Sequence, residues 1–258
     1  MKENLFMDRA VKPLILFDLV STITDVGPRY AEAYARMTQT YGLNIPDRDA
    51  ILQDLGNKNL KQIIADHSPD MPDGLTDKFM SDCNNACDAM LYDVHWVERV
   101  FPGVREALEG LSKDGYTLGL YTGTREDAMQ AQLRYHNLTA YFDAAMLCGK
   151  DNARDAEKTP QALKMEQMGA MIAAFRARPG HDTAPVIVIG DTVSDQQAAA
   201  ANGCAFIGFA ENSAKADLFA KAGVVATFSH YDQLPALLAL PPQAPQPAAK
   251  PAAPSFGL

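Results

Sequence analysis

The sequence predicts an α/β protein built on a doubly wound parallel sheet, with a small helical cap inserted after the first strand. Short apolar runs recur at Leu14–Phe17, Thr117–Tyr121, Ala145–Cys148, Val186–Ile189 and Ala205–Phe209, the signature of strands buried on both faces. Helix-like stretches separate most of them, at Arg105–Lys113, Glu126–His136, Pro160–Ala177 and Gln196–Asn202. Strand–helix alternation of this kind favours parallel crossovers and a Rossmann-like core. The rhythm breaks only once, between Asp25 and about Val97, where no strand run is found.

Taken in order, the first run leads directly into Asp18-Leu19-Val20-Ser21-Thr22. The interval that follows carries amphipathic patterns: Tyr30-Ala33-Tyr34-Met37-Tyr41, then Leu52-Leu55 with Leu60-Ile63-Ile64, then Phe79-Cys83-Ala86-Cys87-Met90. Their spacing is helical, so several helices are expected above the edge of the first strand. Pro102-Gly103 marks the return to the core. Residues 1–25 and 98–240 are thus assigned to the core and residues 26–97 to the cap. The final stretch, PPQAPQPAAKPAAPSFGL over 241–258, is rich in Pro and Ala. Such a composition cannot pack a core, and a disordered tail is expected.

Composition narrows the function. The chain has 258 residues, of which 47% are hydrophobic, and a formal net charge of −9. A core of real size is therefore available. Nucleic acid and anionic membrane surfaces are excluded as partners, since both require a basic face. Four cysteines, Cys83, Cys87, Cys148 and Cys204, are too few for a disulfide scaffold at this length. Cys83 and Cys87 share a helical face, but two sulfurs make a poor zinc site, and buried free thiols are expected. Met1–Lys12 lacks an apolar core of the secretory kind, and no run approaches a membrane span. The expected setting is cytoplasmic.

The chemistry is concentrated at strand ends. Asp18 closes the first run, Asp191 closes Val186-Ile187-Val188-Ile189-Gly190, and Asp195 follows four residues later. Ligands in open α/β sheets bind outside the carboxyl ends of the strands. Acids gathered there suggest a divalent cation site with a carboxylate nucleophile. Each also has an ordinary reading: Asp191 as a helix cap, Thr122 as a turn residue, Lys158 as a surface lysine.

These segments resemble the haloacid dehalogenase superfamily, from Leu14 to about Phe228. Four motifs appear in order: Asp18-Leu19-Val20-Ser21-Thr22, then Thr122 in Tyr121-Thr122-Gly123-Thr124, then Lys158-Thr159-Pro160, then Gly190-Asp191-Thr192-Val193-Ser194-Asp195. The resemblance implies a hydrolase in which Asp18 attacks phosphorus and forms an aspartyl-phosphate. It also implies that Mg²⁺ is held by Asp18, the Val20 carbonyl and Asp191, with Asp195 as a further ligand or water anchor. Lys158 would balance charge between nucleophile and phosphate, and Thr122 would donate to a phosphate oxygen. Gly123 and Arg125 lie just past the second motif, where Arg125 could clamp an anionic substrate. The implied substrate is a small phosphate- or phosphonate-bearing metabolite.

Val20 departs from the pattern. Phosphatases of this superfamily carry an aspartate there, which protonates the leaving group and then activates water. General acid–base help of that kind is worth roughly 10²–10⁴ in rate, and valine supplies neither step. Its backbone carbonyl is retained, so metal binding is expected to survive. Phosphonoacetaldehyde hydrolases also have a small apolar residue at this position and use a cap lysine as a Schiff base; Lys58 is the nearest candidate. Dehalogenases lack the second acid too, but they do not need Mg²⁺ and have usually lost the acid that Asp191 retains. A binding protein without turnover is the remaining alternative.

Overall fold

β1 (Leu14–Asp18) is buried along its whole length, and the rest of the core is arranged around it. The computed structural model describes residues 11–44, 47–55, 60–72, 74–90, 98–155 and 157–239. β1 pairs in parallel with β4 (Thr117–Arg125) on one side and β6 (Val186–Gly190) on the other. β5 (Leu147–Lys150), β7 (Ala205–Phe209) and β8 (Thr227–Phe228) complete a six-stranded parallel sheet in the order β5-β4-β1-β6-β7-β8.

Side chains alternate across the pleat, so β1 feeds two apolar layers. Ile15 and Phe17 pack toward α5 (Val104–Lys113) and α6 (Glu126–Tyr135), beside Leu108, Leu111, Met129 and Leu133. Leu14 and Leu16 face the opposite layer, with Met168, Met171 and Phe175 of α7 (Pro160–Arg176) and Ala198 and Ala199 of α8 (Val193–Ala201). Helices on both faces make the sheet doubly wound, as the sequence predicts. The chain leaves β1 in both directions, toward β5 and toward β8. The carboxyl ends of β1 and β6 therefore flank a topological switch point, where such sheets open a crevice.

All five apolar runs become strands. The third starts later than its sequence suggests: Ala144–Met146 forms a 3-10 turn, because the Asp143 carboxylate accepts from the Ala145 N–H at 2.9 Å. β8, α9 (Ser213–Lys221) and α10 (Leu234–Leu238) lack a strong periodic signal in sequence.

Between Asp25 and Arg99 the chain forms α1 (Gly27–Thr40), α2 (Arg48–Leu55), α3 (Leu60–His67) and α4 (Thr76–Ala89). These helices share their own apolar cluster of Ala31, Tyr34, Ile51, Ile63, Ile64, Phe79 and Cys83. Phe79 meets the Tyr34 and Tyr41 rings edge-on. Burial pushes the Cys83 thiol up to about 12 and the Cys87 thiol up to about 11, so both are inert packing groups. The two crossings of the chain are joined by a short antiparallel pair, β2 (Thr24–Asp25) with β3 (Arg99–Val100). The Asp25 carboxylate accepts from Gly27 N–H at 2.9 Å and shapes the entry to α1. Lys58 and the tail 241–258 lie outside the described residues. No described helix is long and apolar enough to cross a membrane.

A buried ion pair ties the insert to the core. Arg29 in the first turn of α1 is bonded to Glu98, which also accepts from the Thr24 hydroxyl. Arg29 reaches the Cys87 carbonyl at the end of α4 as well, at 3.1 Å. Removing one member of such a pair strands a buried charge. Arg29→Met and Glu98→Gln are therefore each expected to cost about 3 kcal/mol, and the double variant clearly less than their sum, in urea unfolding.

Candidate active site

Asp18 is only 3% exposed, at the end of β1 and at the floor of a cavity of about 550 Å³. The core contributes Val20, Ser21, Thr122, Gly123, Thr124, Arg125 and Asp191 to that cavity, and the helical insert contributes Arg29, Tyr30 and Asp88. β4 runs to Arg125, with a register shift against β5 after Tyr121. Thr122 and Gly123 fall within that irregularity and line the crevice, and Arg125, where pairing resumes opposite Lys150, lines it as well. Thr122 is buried; its Oγ1 accepts from Thr124 N–H at 3.1 Å, which leaves its own proton to donate. Arg125 is half-exposed and pairs with Asp127 at 3.0 Å.

The lysine beside Asp18 is Lys164, not Lys158. Lys164 Nζ lies 3.5 Å from Asp18 Oδ2 and 2.7 Å from Asp195 Oδ1. Lys158 turns away: it pairs with Asp155 at 3.0 Å and with Glu166, outside the cavity. The reason is helical phase. Thr159 caps α7 and Pro160 begins it, so Lys158 sits before the first turn. Lys164 falls on the buried stripe with Leu163, Gln167, Met168 and Met171. A lysine and a glutamine on an otherwise apolar stripe was the sequence signal for this residue. Gln167 uses the same position to donate to the Thr122 carbonyl at 2.9 Å.

Asp195 is completely buried, and its oxygens are taken by protein donors. Tyr121 O–H donates at 2.8 Å and Lys164 at 2.7 Å to Oδ1, while Thr192 N–H donates at 3.1 Å to Oδ2. Thr192 and Asp195 form the capping box of α8, so Thr192, and not Asp191, is the helix cap. The glycine of the fourth motif is required by contact: a Cβ on Gly190 would lie 2.6 Å from the Asp195 side chain. Asp191 faces the cavity. Its Oδ2 accepts from Lys215 of α9 at 2.7 Å, and its Oδ1 faces the Thr22 hydroxyl at 3.3 Å.

Carboxylate oxygens of Asp18, Asp191 and Asp195 all lie within 4.8 Å of one another. Burial raises the Asp18 carboxyl well above the usual range; Lys164 opposes the shift, and Asp195 and Asp191 add to it. Burial likewise raises Asp191, against Lys215. For Lys164, burial disfavours the charge, but Asp18 and Asp195 outweigh it and hold the ammonium protonated. The ionised site is therefore short of positive charge. Two cavity-facing carboxylates in that condition fit Mg²⁺, a hard cation that prefers oxygen ligands.

Because the folded-state pKa of Asp18 is raised, its contribution to stability is present at low pH and lost as pH rises through the raised value. Asp18→Asn removes that penalty. It is expected to stabilise the metal-free protein at pH 7 by about 1 kcal/mol, or about 2–4 °C in Tm. In thermal melts the gain disappears below pH ~4, where Asp18 is neutral in both states.

The description "haloacid dehalogenase-like hydrolase" belongs to the family model that matches residues 15–209. A protein of Dickeya dadantii named "Probable phosphatase IndB" is 28% identical over 206 residues, covering 77% of this chain and 81% of the relative. The phosphoglycolate phosphatase of Aliivibrio fischeri is 27% identical over 197 residues, covering 74% and 81%. Among solved structures, a haloacid dehalogenase-like family hydrolase of Streptococcus pneumoniae aligns with a TM-score of 0.62 at 18% identity, covering 88% of this chain and 98% of that one. At that identity the likeness speaks to fold. Motif order, sheet topology and a family match over most of the length agree, and the chain belongs to the haloacid dehalogenase-like hydrolase family.

Proposed function

We propose that this protein hydrolyses a small phosphorylated metabolite through a covalent intermediate on Asp18, with Mg²⁺ as cofactor. The observation that carries the reading is the convergence of Asp18, Lys164, Thr122 and Asp191 on the floor of one cavity. The names of the curated relatives, a phosphatase and a phosphoglycolate phosphatase, support phosphate esters as the substrate class.

In this mechanism Asp18 attacks phosphorus in line with the leaving oxygen, and the P–O bond to the leaving group breaks as the carboxylate–phosphorus bond forms. Lys164 balances the charge that builds up between Asp18 and the phosphoryl oxygens. Asp195 keeps Lys164 in that position. Thr122 donates to a phosphoryl oxygen. The residues that would hold Mg²⁺ are Asp18, Asp191 and the Val20 carbonyl, and the bound ion would neutralise phosphoryl charge. Water then attacks the aspartyl-phosphate, releasing inorganic phosphate and restoring Asp18. The helical insert, through Arg29, Tyr30 and Asp88, supplies the part of the cavity that meets the rest of the substrate.

Val20 puts no acid beside the leaving oxygen. Substrates whose leaving group departs without a proton are therefore favoured. A panel of phosphate esters, phosphonates and haloacids, assayed with and without Mg²⁺, tests the assignment. Asp18→Asn and Lys164→Ala abolish turnover in this reading, Lys158→Ala leaves it within a few-fold, and chelation stops it. Turnover that survives Asp18→Asn defeats the covalent route, and turnover indifferent to chelator moves the reaction toward dehalogenation.

The leaving group gives an independent check. Wild-type rates should fall steeply from aryl to alkyl phosphates. Val20→Asp restores an acid, so alkyl phosphate turnover is expected to rise by about 10² and the slope to flatten. An unchanged slope means protonation is solved elsewhere in the cavity.

A further inference from the structure

The motifs account for one lysine at the catalytic carboxylates, but the structure contains two. Lys215 lies in the first turns of α9, where Asn212 caps the helix by accepting from the Lys215 N–H at 3.0 Å. Its ammonium donates to Asp191 Oδ2 at 2.7 Å and lies 2.8 Å from Glu211 Oε2. Lys215 is thus held between two carboxylates, Asp191 and Glu211. Lys215 does not line the cavity, whereas Asp191 does. The ammonium thus meets Asp191 from outside the cavity lining.

This arrangement has an electrostatic consequence. A cation bound at Asp191 must share that carboxylate with Lys215, in a largely buried site where charges interact strongly. Without an anion in the cavity, Lys215 already compensates Asp191 and repels a second cation. A phosphoryl group adds negative charge on the cavity side and offsets that repulsion.

We propose that Lys215 is a positioning residue: its ammonium fixes the Asp191 carboxylate beside the cavity and keeps Mg²⁺ affinity low until a phosphate anion arrives. Metal uptake is thereby coupled to substrate uptake. This rests on the Mg²⁺ reading above.

Calorimetric titration of the whole protein with Mg²⁺, with and without inorganic phosphate, tests it without any turnover. Wild type should bind Mg²⁺ weakly alone and more tightly with phosphate. Lys215→Gln should bind Mg²⁺ alone about tenfold more tightly and gain less from phosphate. Lys215→Arg, which retains the charge, should resemble wild type. Glu211→Gln leaves Asp191 as the one carboxylate partner of Lys215 among the described residues and should weaken Mg²⁺ binding; it carries the test if Lys215→Gln does not fold. Binding that is unchanged or weaker in folded Lys215→Gln, or unchanged or tighter in Glu211→Gln, overturns the inference while leaving the Mg²⁺ reading intact. An absence of Mg²⁺ binding in every form overturns both.

Discussion

The Asp195–Lys164 bond is the interaction on which the rest of the site depends. It joins α7 to the start of α8 beneath the switch point of the sheet, and it carries Lys164 to within 3.5 Å of Asp18. Asp195 can anchor that lysine because Tyr121 and Thr192 satisfy its remaining lone pairs. A buried carboxylate with donors on both oxygens is held in one orientation, whereas one with fewer partners would leave costly unmet lone pairs. The same carboxylate caps α8 and forbids a side chain at residue 190. Helix start, lysine position and glycine are thus one constraint seen from three places.

Charge balance shapes the remainder. Three buried acids are gathered at one edge of the sheet, and among the described residues two ammonium groups pair with them. The resulting penalty falls on Asp18 and Asp191, the two acids that face the cavity. Asp195, which the cavity does not reach, has the complete set of protein donors. The site keeps its unmet charge where a ligand can meet it, a form of preorganisation that lowers stability at the point of use.

Much of this was legible in sequence, and the failures have physical causes. Strand runs and their terminal acids are local patterns, so the sequence places Asp18 and Asp191 at strand ends on one edge of the sheet, whereas the adjacency of those strands comes from the fold. Lys158 failed because the motif is spelled by neighbours in sequence, whereas reach into the site is set by helical phase. Six residues further on, Lys164 lies on the buried stripe of α7 and Lys158 does not. Lys215 was invisible for another reason. Nothing in Asn212-Ser213-Ala214-Lys215 is unusual for the start of a surface helix, and only the packing of α9 brings it to Asp191. Short elements such as β2, β3 and β8, two residues each, carry no periodicity to read.

Position 20 shows how a site can lose one chemical group and keep its frame. The turn after Asp18 is set by backbone bonds: Ile23 N–H to Leu19 O at 2.8 Å, Thr24 N–H to the same oxygen at 3.0 Å, and Ser21 N–H to Thr24 O at 2.7 Å. Ser21 adopts a left-handed φ of 58°, a conformation that favours glycine and is held here by those bonds. Tyr231 fixes the far side by donating to the Thr22 carbonyl at 2.7 Å. None of these bonds uses the side chain of residue 20. The positions of Asp18, Thr22 and the carbonyl of residue 20 thus rest on backbone bonds, while the Val20 side chain packs against the edge of the core. On the proposed mechanism, substitution at this position therefore bears on which leaving groups can depart, while Asp18 and its charge partners stay where the fold puts them.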